Sequence, residues 1–226
     1  MFGGLRLLTP GEVPFDRLQV FRYSPQSRIL ATLISGAVVL GCIWIGWRGG
    51  VTLGKEGAIP GFIAWWVAFW IGIYFAFIAV DLRKILQSQG WLAAAGEDGI
   101  FLKLRSYLNA HWGSDDVQVV FVPYRAIAGA GVHARTWFTR SDREGGSREE
   151  RHAFVELRLG EQVDTAELAK RLAEERDGRP SGIKQKSRWG HFPVSIEPEN
   201  VLRIEWRARP GTDAFIEMLR GHGIAI

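Results

Sequence analysis

Five histidines, His111, His133, His152, His191 and His222, carry the side chain that most readily exchanges protons near neutral pH. None is spaced from another as zinc-binding pairs on one helix are, so the pattern predicts scattered surface positions. The one cysteine, Cys42, lies in an apolar run, which excludes both a cysteine-rich metal centre and an intramolecular disulfide. Asp115-Asp116 and Glu149-Glu150 are neighbours in polar segments. Glycoside hydrolysis needs carboxylates that face each other across a bond, and adjacent residues do not provide that. Ser181, Ser187 and Ser195 have no evident base partner. Gly129-Ala130-Gly131 and Gly145-Gly146 are too short to cradle a phosphate, and no P-loop, dinucleotide fingerprint or nucleophile elbow is present. The residues therefore assign no catalytic group, metal or cofactor.

The strongest charged feature is Arg179, Lys184, Lys186 and Arg188, near Lys170. A basic segment of this kind beside a bilayer is attracted to anionic head groups. Glu174, Glu175 and Asp177 offset part of that charge. Trp137-Phe138, between Arg135 and Arg140, is a second candidate for the membrane interface.

The net charge of +4 has a definite location. From Trp91 onward 20 basic side chains balance 20 acidic ones, so the first 90 residues hold eight basic against four acidic. A neutral C-terminal part argues against nucleic acid as a partner. The excess belongs to a membrane module. Ile29 to Trp47 is 19 residues without a charge, and Ala58 to Val80 is 23. A helix of about 20 apolar residues crosses the hydrocarbon core. The first run starts too late and runs too long for a signal peptide. The expectation is a transmembrane hairpin, with spans at about 29–47 and 58–80, in an integral membrane protein. Residues 1–28 form a cytoplasmic lead, and 81–226 a cytoplasmic domain.

Orientation follows from charge. Arg6, Arg17, Arg22 and Arg28 precede the first span, and Arg83 and Lys84 follow the second. The turn holds Arg48 and Lys55, partly balanced by Glu56. The positive-inside rule then puts both termini in the cytoplasm. In the second span Ala64, Ala68, Gly72 and Ala76 recur every four residues, and Ala37 and Gly41 in the first could oppose them as a small-xxx-small surface for helix packing or self-association. Trp44, Trp47, Trp65, Trp66 and Trp70 lie toward the turn, as an aromatic belt would.

Beyond the spans the period changes to two. Ile100–Arg105, Val117–Val122, Phe154–Leu159, Phe192–Ile196 and Val201–Trp206 alternate as strands do. Ala128–Phe138 is a further apolar stretch, and Thr139–Glu150 is expected as an exposed loop. Asp164–Arg176 carries capping-box spacing and a Leu168/Leu172 stripe, which predicts a helix. Thr212–Gly221 is expected as a second, with Phe215, Met218, Leu219 and His222 along one side. The lead's apolar residues, Phe15, Leu18, Val20 and Phe21, could lie against either the bilayer or this domain. The order predicts an α+β domain on a curved antiparallel sheet with two helices.

Asp98-Gly99-Ile100, Val122-Pro123-Tyr124-Arg125-Ala126-Ile127 and Leu202-Arg203-Ile204-Glu205-Trp206, behind a membrane hairpin, resemble segments of bacterial membrane proteins with pleckstrin-homology-like domains. The resemblance implies such a fold over about 81–222, with an insertion at the Asp164 helix, and a place in a bacterial inner membrane. It brings no catalytic residue. The first functional expectation is a non-enzymatic, membrane-anchored interaction or scaffold module with a membrane-protein partner, self-associating through its spans. The alternatives are an anionic-lipid-binding module and an enzyme whose site is assembled only by the fold.

Overall fold

The structure, a computed structural model, describes residues 4–52, 54–86, 90–109, 116–140, 147–177 and 191–226. It divides into two compact units: Ser24–Gln89, and Met1–Tyr23 together with Gly90–Ile226.

The first unit is the hairpin, α1 (Gln26–Thr52) and α2 (Gly54–Leu86). Gln26–Arg48 and Phe62–Leu86 are long and apolar enough to cross a membrane, with only 11% and 17% of each buried within the protein. A core helix of a water-soluble protein is covered over most of its apolar face; these two leave Leu33, Leu40, Trp47, Phe62 and Phe69 exposed. The hydroxyls inside α1 are satisfied locally: Thr32 donates to the Arg28 carbonyl and Ser35 to that of Ala31, both at 2.7 Å. Arg28 and the buried Asp81 pair at 3.9 Å, linking the two helices.

The second unit has two open antiparallel sheets rather than the one curved sheet expected. The six-stranded sheet runs β1 (Arg6–Leu8), β5 (Val119–Pro123), β4 (Gly99–Lys103), β3 (Trp91–Ala95), β2 (Gln19–Tyr23) and β10 (Ala208–Arg209). The four-stranded sheet runs β6 (Ile127–Arg140), β7 (Ser147–Leu159), β9 (Val201–Trp206) and β8 (Val194–Glu197). The pleckstrin-homology-like arrangement is therefore corrected. After β5 a 3-10 turn at Tyr124–Ala126 carries the chain into the other sheet. The lead segment supplies two strands that a sheet built from 81 onward lacks. The loop expected over Thr139–Glu150 is also shorter: β6 continues to Arg140 and β7 begins at Ser147, with Trp137 opposite Glu150.

The helices α3 (Ala166–Asp177) and α4 (Thr212–Gly221) stand close to where the sequence places them. Asp164 accepts from the Ala166 amide at 2.9 Å, and Leu168 and Leu172 are buried.

The lead segment covers one face of the six-stranded sheet and contributes to the other. Val13, Trp91, Ala94, Phe101, Val119 and Phe121 form a cluster on which Leu8, Phe15, Leu18 and Val20 pack. The next residue, Phe21, turns to the opposite face. There it meets Phe215 of α4 edge-on at 5.1 Å and Trp206 of β9 at 5.4 Å. Trp206 and Phe215 lie 4.5 Å apart, so one cluster joins both sheets and the last helix. Burial of this kind supplies the dominant favourable term in folding.

Phe21→Ala should destabilise the full-length protein by about 3–5 kcal/mol in denaturant unfolding followed by intrinsic fluorescence in detergent. A loss below about 1 kcal/mol would show that the lead is not part of the core.

Candidate functional site

Glu205 on β9 is the centre of the most concentrated polar cluster described. His191, just before β8, places Nε2 2.7 Å from Oε2, and His152 on β7 places Nδ1 2.9 Å from Oε1. Arg207 donates from Nε to Oε1 at 2.6 Å, and its Nη2 lies 3.2 Å from His152 Nδ1. His152 thus has a partner in either state. Bare Nδ1 accepts from Arg207; protonated Nδ1 donates to Glu205. Asn109 fixes the His191 backbone, donating to its carbonyl at 2.7 Å and accepting from its amide at 3.2 Å. Burial pushes the Glu205 carboxyl up. The His191 hydrogen bond and charge, the Arg207 charge and the His152 hydrogen bond overcome that and hold it at about 2. The arrangement keeps one carboxylate ionised.

A second network is buried. Arg105, just after β4, grips Glu175 of α3 through Nε and, at 2.8 Å, through Nη2, and reaches Asp116 at 3.1 Å. Arg171 adds a bond to Glu175 at 2.5 Å and one to the Val117 carbonyl at 3.0 Å. This fixes α3 to the end of the six-stranded sheet. Beside it Lys103 is only 3% exposed, and burial followed by the Arg105 charge pushes its ammonium down to about 8. Its Nζ sits 5.8 Å from the centre of the Trp91 ring.

A polar cleft of about 790 Å³ is lined by Gly4, Leu5, Arg6, Glu97, Asp98 and Phe121, with Pro123, Tyr124, Arg125 and His222. Arg6 lies over the Phe121 ring at 4.7 Å. Tyr124 stacks on His222 at 3.9 Å and donates to the Gly96 carbonyl at 2.9 Å. Two of the three short segments singled out in the sequence, Asp98–Ile100 and Val122–Ile127, meet here. Gly99 is paired with Pro123, and a Cβ at 99 would lie 2.4 Å from the Val122 carbonyl oxygen and 2.7 Å from Pro123 Cα. Only glycine tolerates that approach. The Tyr124 amide also donates to the Asp98 carbonyl at 3.1 Å.

The residues singled out from the sequence fare unequally. His152 and His191 are brought together, against the expectation of scattered positions, because β7 and the segment before β8 flank β9. His133 instead approaches Glu156 at 3.1 Å, and His222 stacks on Tyr124. His111, Asp115, Gly145-Gly146, Ser181 and Ser187 lie outside the described residues, as do the head-group candidates Arg179, Lys184, Lys186 and Arg188. Lys170 is exposed and 3.9 Å from Glu174.

In the hairpin Ala64 and Ala68 are buried, Gly72 is half-buried, and Ala76, Ala37 and Gly41 are exposed. Of the described hairpin glycines, Gly46 and Gly36 are the ones against the facing helix: a Cβ on Gly46 would lie 2.7 Å from Trp65 Nε1, and one on Gly36 3.3 Å from the Phe75 ring. Trp44, Trp47, Trp65, Trp66 and Trp70 are all exposed, with Trp66 and Trp70 edge to face at 5.9 Å and Arg48 over Trp44 at 4.9 Å. Among the described residues no group of three or more His, Cys, Asp or Glu could hold a metal ion. No protein-family model, curated protein or solved structure matches this chain.

The depressed Glu205 pKa sets a pH dependence. Its stabilisation is present above the ordinary carboxylate value, 4.5, and is lost as pH falls from there through about 2. Glu205→Gln should cost about 1–3 kcal/mol at pH 7, and its deficit should shrink as pH drops toward 2. Denaturant unfolding of both proteins across that range checks this; a pH-independent difference would remove the ion cluster as its cause.

Proposed function

We propose that the chain is a non-enzymatic interaction module, anchored by its helical hairpin in the inner membrane of a bacterium with both termini in the cytoplasm. The observation that carries this reading is the pairing of β2 with β3. The hairpin leaves the folded unit after Tyr23 and returns at Gly90, and the Tyr23 amide donates to the Gly90 carbonyl at 3.0 Å. Strands that are hydrogen-bonded neighbours lie on one side of a bilayer, so the segment between them crosses it an even number of times. Two crossings satisfy this. The flanking arginines and Lys84 favour the cytoplasm for that side. The bacterial assignment rests on the resemblance of the hairpin and the three short segments at 98–100, 122–127 and 202–206.

The interior of the folded unit supports a binding role rather than catalysis. Glu205 is engaged by His191, His152 and Arg207, and Glu175 by Arg105 and Arg171, so these groups hold strands and helix together. Exposed Ala37, Gly41 and Ala76 leave smooth helix surface for a second copy or another membrane helix. A tether of this kind confines the module to two dimensions and raises its effective concentration near membrane partners.

Alkaline carbonate should leave the protein in the membrane pellet, whereas Ala68→Arg, which places a charge within a span at about 2.5–3.5 kcal/mol, should reduce insertion. Cysteine labelling at introduced exposed sites in unit 90–226 should occur only from the cytoplasmic side. Release of the wild type by carbonate would overturn the anchor. Cross-linking in native membranes should recover a membrane protein with the full chain and not with the hairpin alone. Recovery of self-oligomers only would remove the interaction reading and leave anionic-lipid binding to be tested by salt-sensitive vesicle association.

A further inference from the structure

The 790 Å³ cleft holds charges of both signs that the fold does not use. Arg6, Arg125, Glu97 and Asp98 all line it, and all are exposed. Among the described residues none of the four makes an ion pair, whereas Arg105, Arg171, Arg203 and Arg207 elsewhere in the unit each hold a carboxylate. The surroundings are preorganised: Arg6 is held over Phe121, and Tyr124 is held by His222 and the Gly96 carbonyl. A cleft of this volume lies in the range of ligand sites.

The cleft adjoins an open sheet edge. β1 is the outermost strand of the six-stranded sheet, and Gly4, Leu5 and Arg6 line the cleft. Which backbone groups point outward follows from the ladder. Gln118 accepts from the Leu104 amide at 2.8 Å and Tyr124 donates to Asp98 at 3.1 Å, so alternate residues of β5 turn to β4. Val119 and Phe121 therefore turn to β1, where their partners are Leu8 and Arg6. Leu5 and Leu7 face away, and their N–H and C=O groups have no partner among the described residues. A free edge of this kind accepts an added strand.

We propose that the β1 edge and its cleft bind an extended segment of a partner protein that carries both an acidic and a basic side chain. The segment pairs with the backbone of Leu5 and Leu7. Its acidic side chain meets Arg6 and Arg125, and its basic one meets Glu97 and Asp98. This rests on the interaction-module reading and gives it a site and a recognition chemistry.

The test uses the full-length protein in nanodiscs, panned against a phage-displayed random peptide library with empty nanodiscs as control. Enriched peptides should carry residues of both charge signs. Arg6→Ala/Arg125→Ala and Glu97→Ala/Asp98→Ala should each weaken binding of an enriched synthetic peptide by about tenfold or more, without loss of folding, since all four side chains are exposed. Hydrogen exchange at the Leu5 and Leu7 amides should slow when that peptide binds. No enrichment, peptides of one charge sign, equal binding by both variants, or unchanged Leu5 and Leu7 exchange would each overturn the proposal. A cross-linked membrane partner retained by both double variants would leave the interaction module standing and remove this edge as its site.

Discussion

The hydrogen-bonded pairing of β2 with β3 constrains everything else in this chain. These strands are neighbours in the sheet yet separated in sequence by the whole of Ser24–Gln89. The hairpin is therefore an insertion into a folded unit, with both its ends held at one sheet. Helix length, apolar surface and the Arg28–Asp81 pair between the helices are all consistent with a segment that leaves and returns on the same side.

Around that constraint the packing divides its work. Apolar residues of the lead seal one face of the six-stranded sheet, while Phe21 reaches through to Trp206 and Phe215. Charged residues then fasten the periphery. Arg105 holds α3 through Glu175, Arg171 of α3 reaches the Val117 carbonyl, and Glu205 collects His152, His191 and Arg207 from three segments. Buried charges of this sort are costly unless fully paired, so removing one partner is more damaging than the pair is favourable.

The two long helices were legible because each uncharged apolar run is far longer than a strand. The Leu202/Ile204/Trp206 face and the Phe215/Leu219 stripe were legible because one side of each element is buried, and burial writes a period into the sequence. β3 was not legible: Trp-Leu-Ala-Ala-Ala is buried on both sides and shows no alternation. Nor was β1, where three residues are too few to carry a period. With β1 and β2 unrecognised, the strands left over suggested one curved sheet, and the two-sheet division after Pro123 had no local sign beyond a proline. The Glu205 cluster was hidden for a different reason. His152, His191 and Glu205 are distant in sequence, and only the antiparallel register of β7, β8 and β9 makes them neighbours. Gly99 did leave a trace, since a glycine opening a strand marks a close backbone approach.

The insertion also dictates an order of assembly. During synthesis β1 and β2 leave the ribosome first, but their sheet partners β5 and β3 lie beyond the hairpin. A free loop as long as Ser24–Gln89 closes with an entropic penalty that grows as the logarithm of its length. Once the two helices have packed against each other, with Arg28 and Asp81 paired near their outer ends, those ends are already close, and that penalty has largely been met before the sheet begins to form. Formation of the six-stranded sheet is thereby coupled to formation of the hairpin: a chain whose two long helices have not paired also presents unpaired strands, which are the natural substrates of chaperones and proteases.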